Sequence, residues 1–108
     1  MEAMVQDCGF TPTQLQVDGG ASANGFLMHF QADIMGVPVV RPQVMETTAL
    51  GAALLAGMGV GLYHSMDEVA SVWQRDLCFD PGMDDRMRTM LRRGWHRAVD
   101  RARNWIDN

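Results

Sequence analysis

Apolar residues recur with a changing period along this chain, and the changes mark its elements. Residues 1–8 read as the end of a helix, with Gly9 as its left-handed stop. In Gln14-Leu15-Gln16-Val17-Asp18 polar and apolar side chains alternate, the two-residue period of a strand, and Gly19-Gly20 break it. From Ala23 the period lengthens. Ala23, Phe26, Leu27, Phe30 and Ile34 fall on one helical stripe, which Gly36 ends. Val37-Pro38-Val39-Val40 predicts a short buried strand, with Pro38 at its first turn or at a sheet edge. Strand, helix and strand in this order make a βαβ unit with a parallel pair and a right-handed crossover.

Thr47 or Thr48 is placed to cap the next helix. Residues 49–61 are apolar or small all round, which predicts a helix buried on most sides. Its glycines each cost about 1 kcal/mol of helix propensity against alanine, and close packing against another backbone would account for them. Residues 67–73 suit a short amphipathic helix. Leu77, Cys78 and Phe79 suit an extended segment, and Asp80-Pro81-Gly82 a turn. A last helix is expected over about 84–105, striped by Met87, Met90, Leu91, Ala98, Ala102 and Trp105, with Trp95 and Val99 flanking. Asp84 and Asp85 stand at its start, where the helix dipole favours negative charge. The expectation is an α/β fold with a βαβα core over about 14–63 and a helical extension over about 64–108.

Composition narrows the function. The 108 residues are enough for one small domain, and 47% hydrophobic with 20% charged residues is a globular balance. A net charge of -4 argues against a dedicated nucleic-acid or anionic-membrane binder. The last helix is locally basic, with seven arginines against four aspartates from Gly82 onward. No aromatic or glycine pattern of a binding module accompanies them, so they read as a solvated, salt-bridged face. Cys8 and Cys78 lie far apart, and His29, His64 and His96 are scattered, so no metal site is expected. Reduced thiols and the lack of a signal-like N-terminus suit a cytoplasmic protein. The apolar stretch 49–63 is shorter than the roughly 20 residues that span a bilayer.

The chemistry concentrates in Val17-Asp18-Gly19-Gly20-Ala21-Ser22-Ala23-Asn24. A strand ends in two glycines and a helix begins at once. Without side chains, Gly19 and Gly20 let a ligand approach the main chain. The new helix presents free N–H groups, and Asn24 offers both donors and an acceptor. A plain strand-to-helix turn capped by Ser22 would have the same outline. Two phosphate motifs are excluded. Gly20 and Gly25 have P-loop spacing, but Phe26 and Leu27 stand where Lys and Ser/Thr are required. The spaced glycines of a Rossmann turn are also absent. Asp18 suits turn support, and neither Asp33 nor Glu46 has a partner pattern for acid–base work.

The stretch VDGGASANGFLMHFQADIMGVPVVRPQVMETTALGAALLAGMGVGLY closely resembles the C-terminal nucleotide-binding domain of glycerol kinases. These are sugar kinases of the actin-like (ribonuclease H-like) ATPase superfamily. The resemblance runs on, more loosely, through FDPGMDDRMRTMLRRGWHRAVDRA. It implies an ATP-dependent phosphotransferase acting on glycerol, with Mg²⁺ neutralising the phosphates in the complete enzyme. By position, Gly20 matches the family glycine against the nucleotide and Asn24 the asparagine at its adenine-ribose end. Gly19 and Ala21 flank them. The family's catalytic aspartate, its glycerol-binding residues and its phosphate-holding loop match nothing here. The chain alone is therefore expected to bind ATP or ADP at most, without phosphorylating glycerol. A non-catalytic nucleotide-binding or interaction module of the same ancestry is the alternative. Some bacterial glycerol kinases dock a sugar-transport phosphocarrier through a carboxylate near the last helix. Met87 at the comparable position argues against that regulation. The antiparallel meander that precedes these strands in the family has no counterpart. That predicts an open strand edge, an under-covered helix at 49–61, and self-association or pairing with the missing N-terminal part.

Overall fold

A computed structural model describes residues 1–103; Trp105 and Asp107, assigned above to the last helix and its charge, lie outside them. The chain runs α1 (Glu2–Cys8), β1 (Leu15–Gln16), a 3₁₀ turn (Gly20–Ala23), α2 (Gly25–Met35), β2 (Val39–Pro42), α3 (Thr47–Gly59), α4 (Met66–Val72), β3 (Arg75–Phe79) and α5 (Asp85–Ala102). Gly9 and Gly36 end α1 and α2 with φ of 73° and 71°, the left-handed conformation that glycine adopts without penalty. Ser65 caps α4 by accepting from the Glu68 N–H, and Asp84 caps α5 by accepting from the Met87 N–H.

The sheet has the order β1-β2-β3. β1 and β2 are parallel, with Leu15 opposite Val39 and Gln16 opposite Val40. β1 is shorter than the expected 14–18, although the ladder continues through the Val17 N–H on the Val40 carbonyl. β2 starts two residues later than expected, leaving Pro38 just outside, where its missing N–H costs the ladder nothing. The segment read as extended at 77–79 is β3, antiparallel to β2. The part from residue 64 onward thus adds a strand to the sheet as well as helices.

The core lies between the sheet and α2. Met28, Ala32 and Val39 are buried together, with Leu15, Val17 and Phe79 packed around them. The stripe expected to face inward on α2 is largely on the outside. Phe26 is 82% exposed, Leu27 and Phe30 are exposed, and Ala23 belongs to the 3₁₀ turn. The cause is that α2 is apolar on more than one face. Met28 and Ala32, spaced i, i+4, meet the sheet, and the bulkier stripe looks away.

The expectation of a buried α3 is also corrected. Only Gly57 is buried in it, and Leu55 is 62% exposed. Gly57 packs against the Tyr63 ring, whose carbons would stand 2.9 Å from an added Cβ, whereas Gly51 and Gly59 face open space. The radius of gyration is 18.4 Å, against about 13 Å for a compact chain of this length.

Candidate functional site

The turn between β1 and α2 is built almost wholly from main chain. The Gly19 N–H donates to the Met45 carbonyl at 2.8 Å. Gly19 has φ 81°, so a side chain there would be strained. Its carbonyl accepts from the Ser22 N–H at 3.1 Å and the Ser22 hydroxyl at 2.6 Å, and Ser22 is buried. Ser22 therefore closes the 3₁₀ turn, and the cap of α2 is Asn24. The Asn24 Oδ1 accepts from the Leu27 N–H at 3.1 Å, which leaves its amide nitrogen on the exposed side.

Gly20, Ala21 and Asn24 are exposed, and a Cβ built on Gly20 meets nothing within 4 Å. The four residues singled out in the sequence, Gly19, Gly20, Ala21 and Asn24, thus lie together on one short turn with open ground over Gly20. Beside them, Asp18 accepts a hydrogen bond from the Thr47 hydroxyl. Thr47 consequently does not cap α3, whose N-terminal position is Glu46 without a side-chain bond. This contact ties the first turn of α3 to the turn at 19–24.

Three residues hold the surroundings: Arg41 and Asp76, which sequence reasoning did not single out, and Asp33, which it weighed for acid–base work and set aside. The Arg41 guanidinium reaches from β2 to the carbonyls of Ser22 and Ala23, at 3.1 and 3.4 Å. Asp76 on β3 receives two hydrogen bonds from the same guanidinium, at 3.0 and 2.7 Å. The one basic residue in an otherwise apolar strand, VVRP, was the available signal. Asp33 on α2 accepts from the N–H groups of Gly82 and Met83, at 2.7 and 2.9 Å. Those bonds, the Gly82 one foremost, hold its carboxyl below the usual carboxylate range; partial burial opposes them, and His29 and Arg88 add to the lowering. Asp33 is an anchor for the loop before α5.

A wide cavity lies elsewhere. It is a groove of about 760 Å³ between α1, α2 and α5, walled by Phe30, Ile34, Leu91, Trp95 and Ala98. Among the described residues no three His, Cys, Asp or Glu side chains gather to hold a metal ion. Both cysteines are free and exposed. No helix among the described residues is long and apolar enough to cross a membrane.

The site is an exposed two-glycine turn at the head of a helix that crosses between parallel strands. Residues 1–60 match the C-terminal domain of the FGGY family of carbohydrate kinases, and the chain belongs to that family. Its similar relatives are glycerol kinases. It is 56% identical over 107 residues to the glycerol kinase of Caldanaerobacter subterraneus subsp. tengcongensis, covering 99% of this chain and 22% of that protein. It is 55% identical over 108 residues to that of Deinococcus radiodurans, covering 100% of this chain and again 22% of the relative. The solved structure of Plasmodium falciparum glycerol kinase with ADP superposes with a TM-score of 0.79 at 32% identity, over 99% of this chain and 21% of that one. The chain thus spans about a fifth of the length of these proteins, and its mixed α/β fold is similar to their C-terminal part.

Proposed function

We propose that this chain supplies the adenine-side wall of the nucleotide site of an ATP-dependent glycerol kinase. The whole enzyme would convert ATP and glycerol to ADP and glycerol 3-phosphate. The observation that carries the reading is the open ground over Gly20, on a hydrogen-bonded turn, in a chain of this family. Gly19, Gly20 and Ala21 let the ligand approach the main chain, and Asn24 offers its free amide to the adenine-ribose end. The ADP held by the Plasmodium falciparum relative supports a nucleotide as the ligand. Mg²⁺ belongs to the whole enzyme, where it would neutralise the phosphates. Asp18 is engaged by Thr47, and no side chain of the turn is assigned the proton of a glycerol hydroxyl. The chain alone is therefore expected to bind nucleotide without turnover.

The finer fold reading goes with this. The parallel pair β1–β2 joined through α2 supports the C-terminal part of an actin-like ATPase domain, one partial domain over residues 1–108. A cytoplasmic setting accords with two free thiols. Pairing with a second copy, or with the remainder of a kinase, is supported by exposed area. The chain exposes 8289 Å², against about 6,000 Å² for a compact monomer of its mass. The edge of β1 and the outer face of α3 are the surfaces concerned. Light scattering across the micromolar range is expected to show association; a compact monomer throughout would refute it.

Titration calorimetry with ADP, run beside a glycerol phosphorylation assay on the same sample, tests the central reading. Wild type is expected to bind weakly and to form no glycerol 3-phosphate. Gly20→Val is expected to abolish binding and leave the unfolding midpoint nearly unchanged, because the added side chain meets only open space. Equal ADP affinity in the Gly20→Val protein would remove the site from this turn.

A further inference from the structure

We propose that Arg41 is the positioning residue of the turn at 19–24 and that Asp76 holds it in place. The assignment rests on the nucleotide reading above.

Side chains on a strand alternate between faces, so Arg41 shares the face of Val39, the one covered by α2. Its side chain is 13% exposed. From there one terminal nitrogen reaches the carbonyls of Ser22 and Ala23, the last two residues of the 3₁₀ turn. The carbonyl and N–H of a trans peptide point in opposite directions. Turning the Ser22 carbonyl toward Arg41 therefore directs the Ala23 N–H away from the sheet. Asn24 follows immediately, and its own N–H is already spent on the Ala21 carbonyl. Arg41 thus sets the peptide plane from which the exposed side of the turn is presented.

A long side chain holds such a plane only if it is itself held. The other nitrogens of the guanidinium donate to Asp76 Oδ2, and the Phe79 ring lies 5.5 Å from the guanidinium carbon. The sheet is locally irregular to allow this. Pairing runs Val40 with Cys78 and Arg41 with Leu77, then jumps to Pro42 with Arg75. Asp76 is the extra residue of a β-bulge, the device that re-aims a side chain on a strand. Pro42 lacks an N–H, so the interruption falls where the ladder has a donor fewer. Lysine in place of Arg41 keeps the charge, but a single ammonium has no planar fork for the carbonyls and the carboxylate together.

The test uses the whole chain, with hydrogen exchange of individual amides and titration with ADP. Arg41→Lys is expected to speed exchange at Ala23, Asn24 and Leu27 and to weaken ADP binding about tenfold, the scale of one charged hydrogen bond. Exchange within β2 should stay near wild type. Asp76→Asn should shift the same amides less, and Asp76→Glu should restore them. Should Arg41→Lys fail to fold, the two Asp76 variants, at a half-exposed position, decide the matter alone. A merely structural role predicts something else: faster exchange spread along β2 and β3, a lower urea midpoint, and unchanged ADP affinity of the folded fraction. That pattern would overturn the proposal. Wild type that ignores ADP would sink the nucleotide reading. The exchange arm would still decide for or against Arg41.

Discussion

The turn at 19–24 and helix α3 stand side by side, joined through Asp18 and Thr47, and they are opposites in construction. The turn satisfies many of its polar groups within a few residues: the Ser22 hydroxyl on the Gly19 carbonyl, the Leu27 N–H on Asn24 Oδ1 and the Asn24 N–H on the Ala21 carbonyl, while Met45 and Arg41 supply distant partners for others. Helix α3 is richer in apolar surface, yet Leu55 and its outer face remain in solvent, and beyond the helix Val60 is 84% exposed. Hydrogen bonds with small sequence separation close within one chain segment. Hydrophobic burial needs a second surface, and this chain brings that surface to α2 and not to α3. Order in the molecule therefore follows availability of partners more than apolar content.

The sharpest way to break that contrast is in α2 itself, which has one face of each kind. Met28→Ala empties a buried position and is expected to cost about 2–5 kcal/mol. Phe26→Ala removes a larger but exposed ring and should stay within about 0.5 kcal/mol. Urea unfolding of the two variants measures both. Comparable losses would mean that Phe26 is covered in solution, as it would be by a second copy.

Helix α3 offers a finer comparison between two of its glycines. A Cβ at Gly57 would stand 2.9 Å from the Tyr63 ring, so Gly57→Ala should destabilise by about 1–3 kcal/mol through overpacking. At Gly51 the space is open, and Gly51→Ala should stabilise by roughly 0.5–1 kcal/mol through helix propensity. Thermal midpoints should move in opposite directions.

The smallest effect concerns Asp33. Its folded carboxyl titrates below the usual range, chiefly because the Gly82 and Met83 N–H groups favour the charged form. The unfolded chain then binds the proton first as pH falls. The stabilisation is complete above the ordinary carboxylate value near 4 and is lost as pH drops toward the folded value. Asp33→Asn should flatten that acid limb of the stability curve by lowering stability at neutral pH, where the contribution is complete, more than in acid. An unchanged limb would separate Asp33 from the loop it is drawn against.

The same physics divides what was legible in the sequence from what was not. The stops at Gly9 and Gly36, the break at Gly19-Gly20 and the acidic start of α5 were readable, because each depends on neighbours in the chain. The parallel pair followed from strand, helix and strand in order. The candidate site was legible as a segment, and Gly19, Gly20, Ala21 and Asn24 do lie on one turn. The division of labour inside it was not, since Ser22 and Asn24 are both ordinary capping residues. The buried face of α2 was misread because apolar residues surround that helix and only the sheet chooses among them. Arg41 with Asp76, and Asp33 with Gly82, lay beyond local reasoning: their partners are 35 and 49 residues apart.

The join between α5 and the rest has a kinetic meaning. Helix α5 buries no residue. What fastens its start is Arg88, bonded to the carbonyls of Asp33 and Met83, together with the loop that Asp33 grips. Further along, Arg92 and His96 pair with Glu2 of α1. A segment held by a few directional bonds, with no buried residue of its own, peels away without the sheet melting. Amides of α5 should therefore exchange through small openings, at a lower protection than those of β2, and a protease should find this helix first. The chain would then come apart in two stages, the arginine-rich helix leaving before the glycine turn gives way.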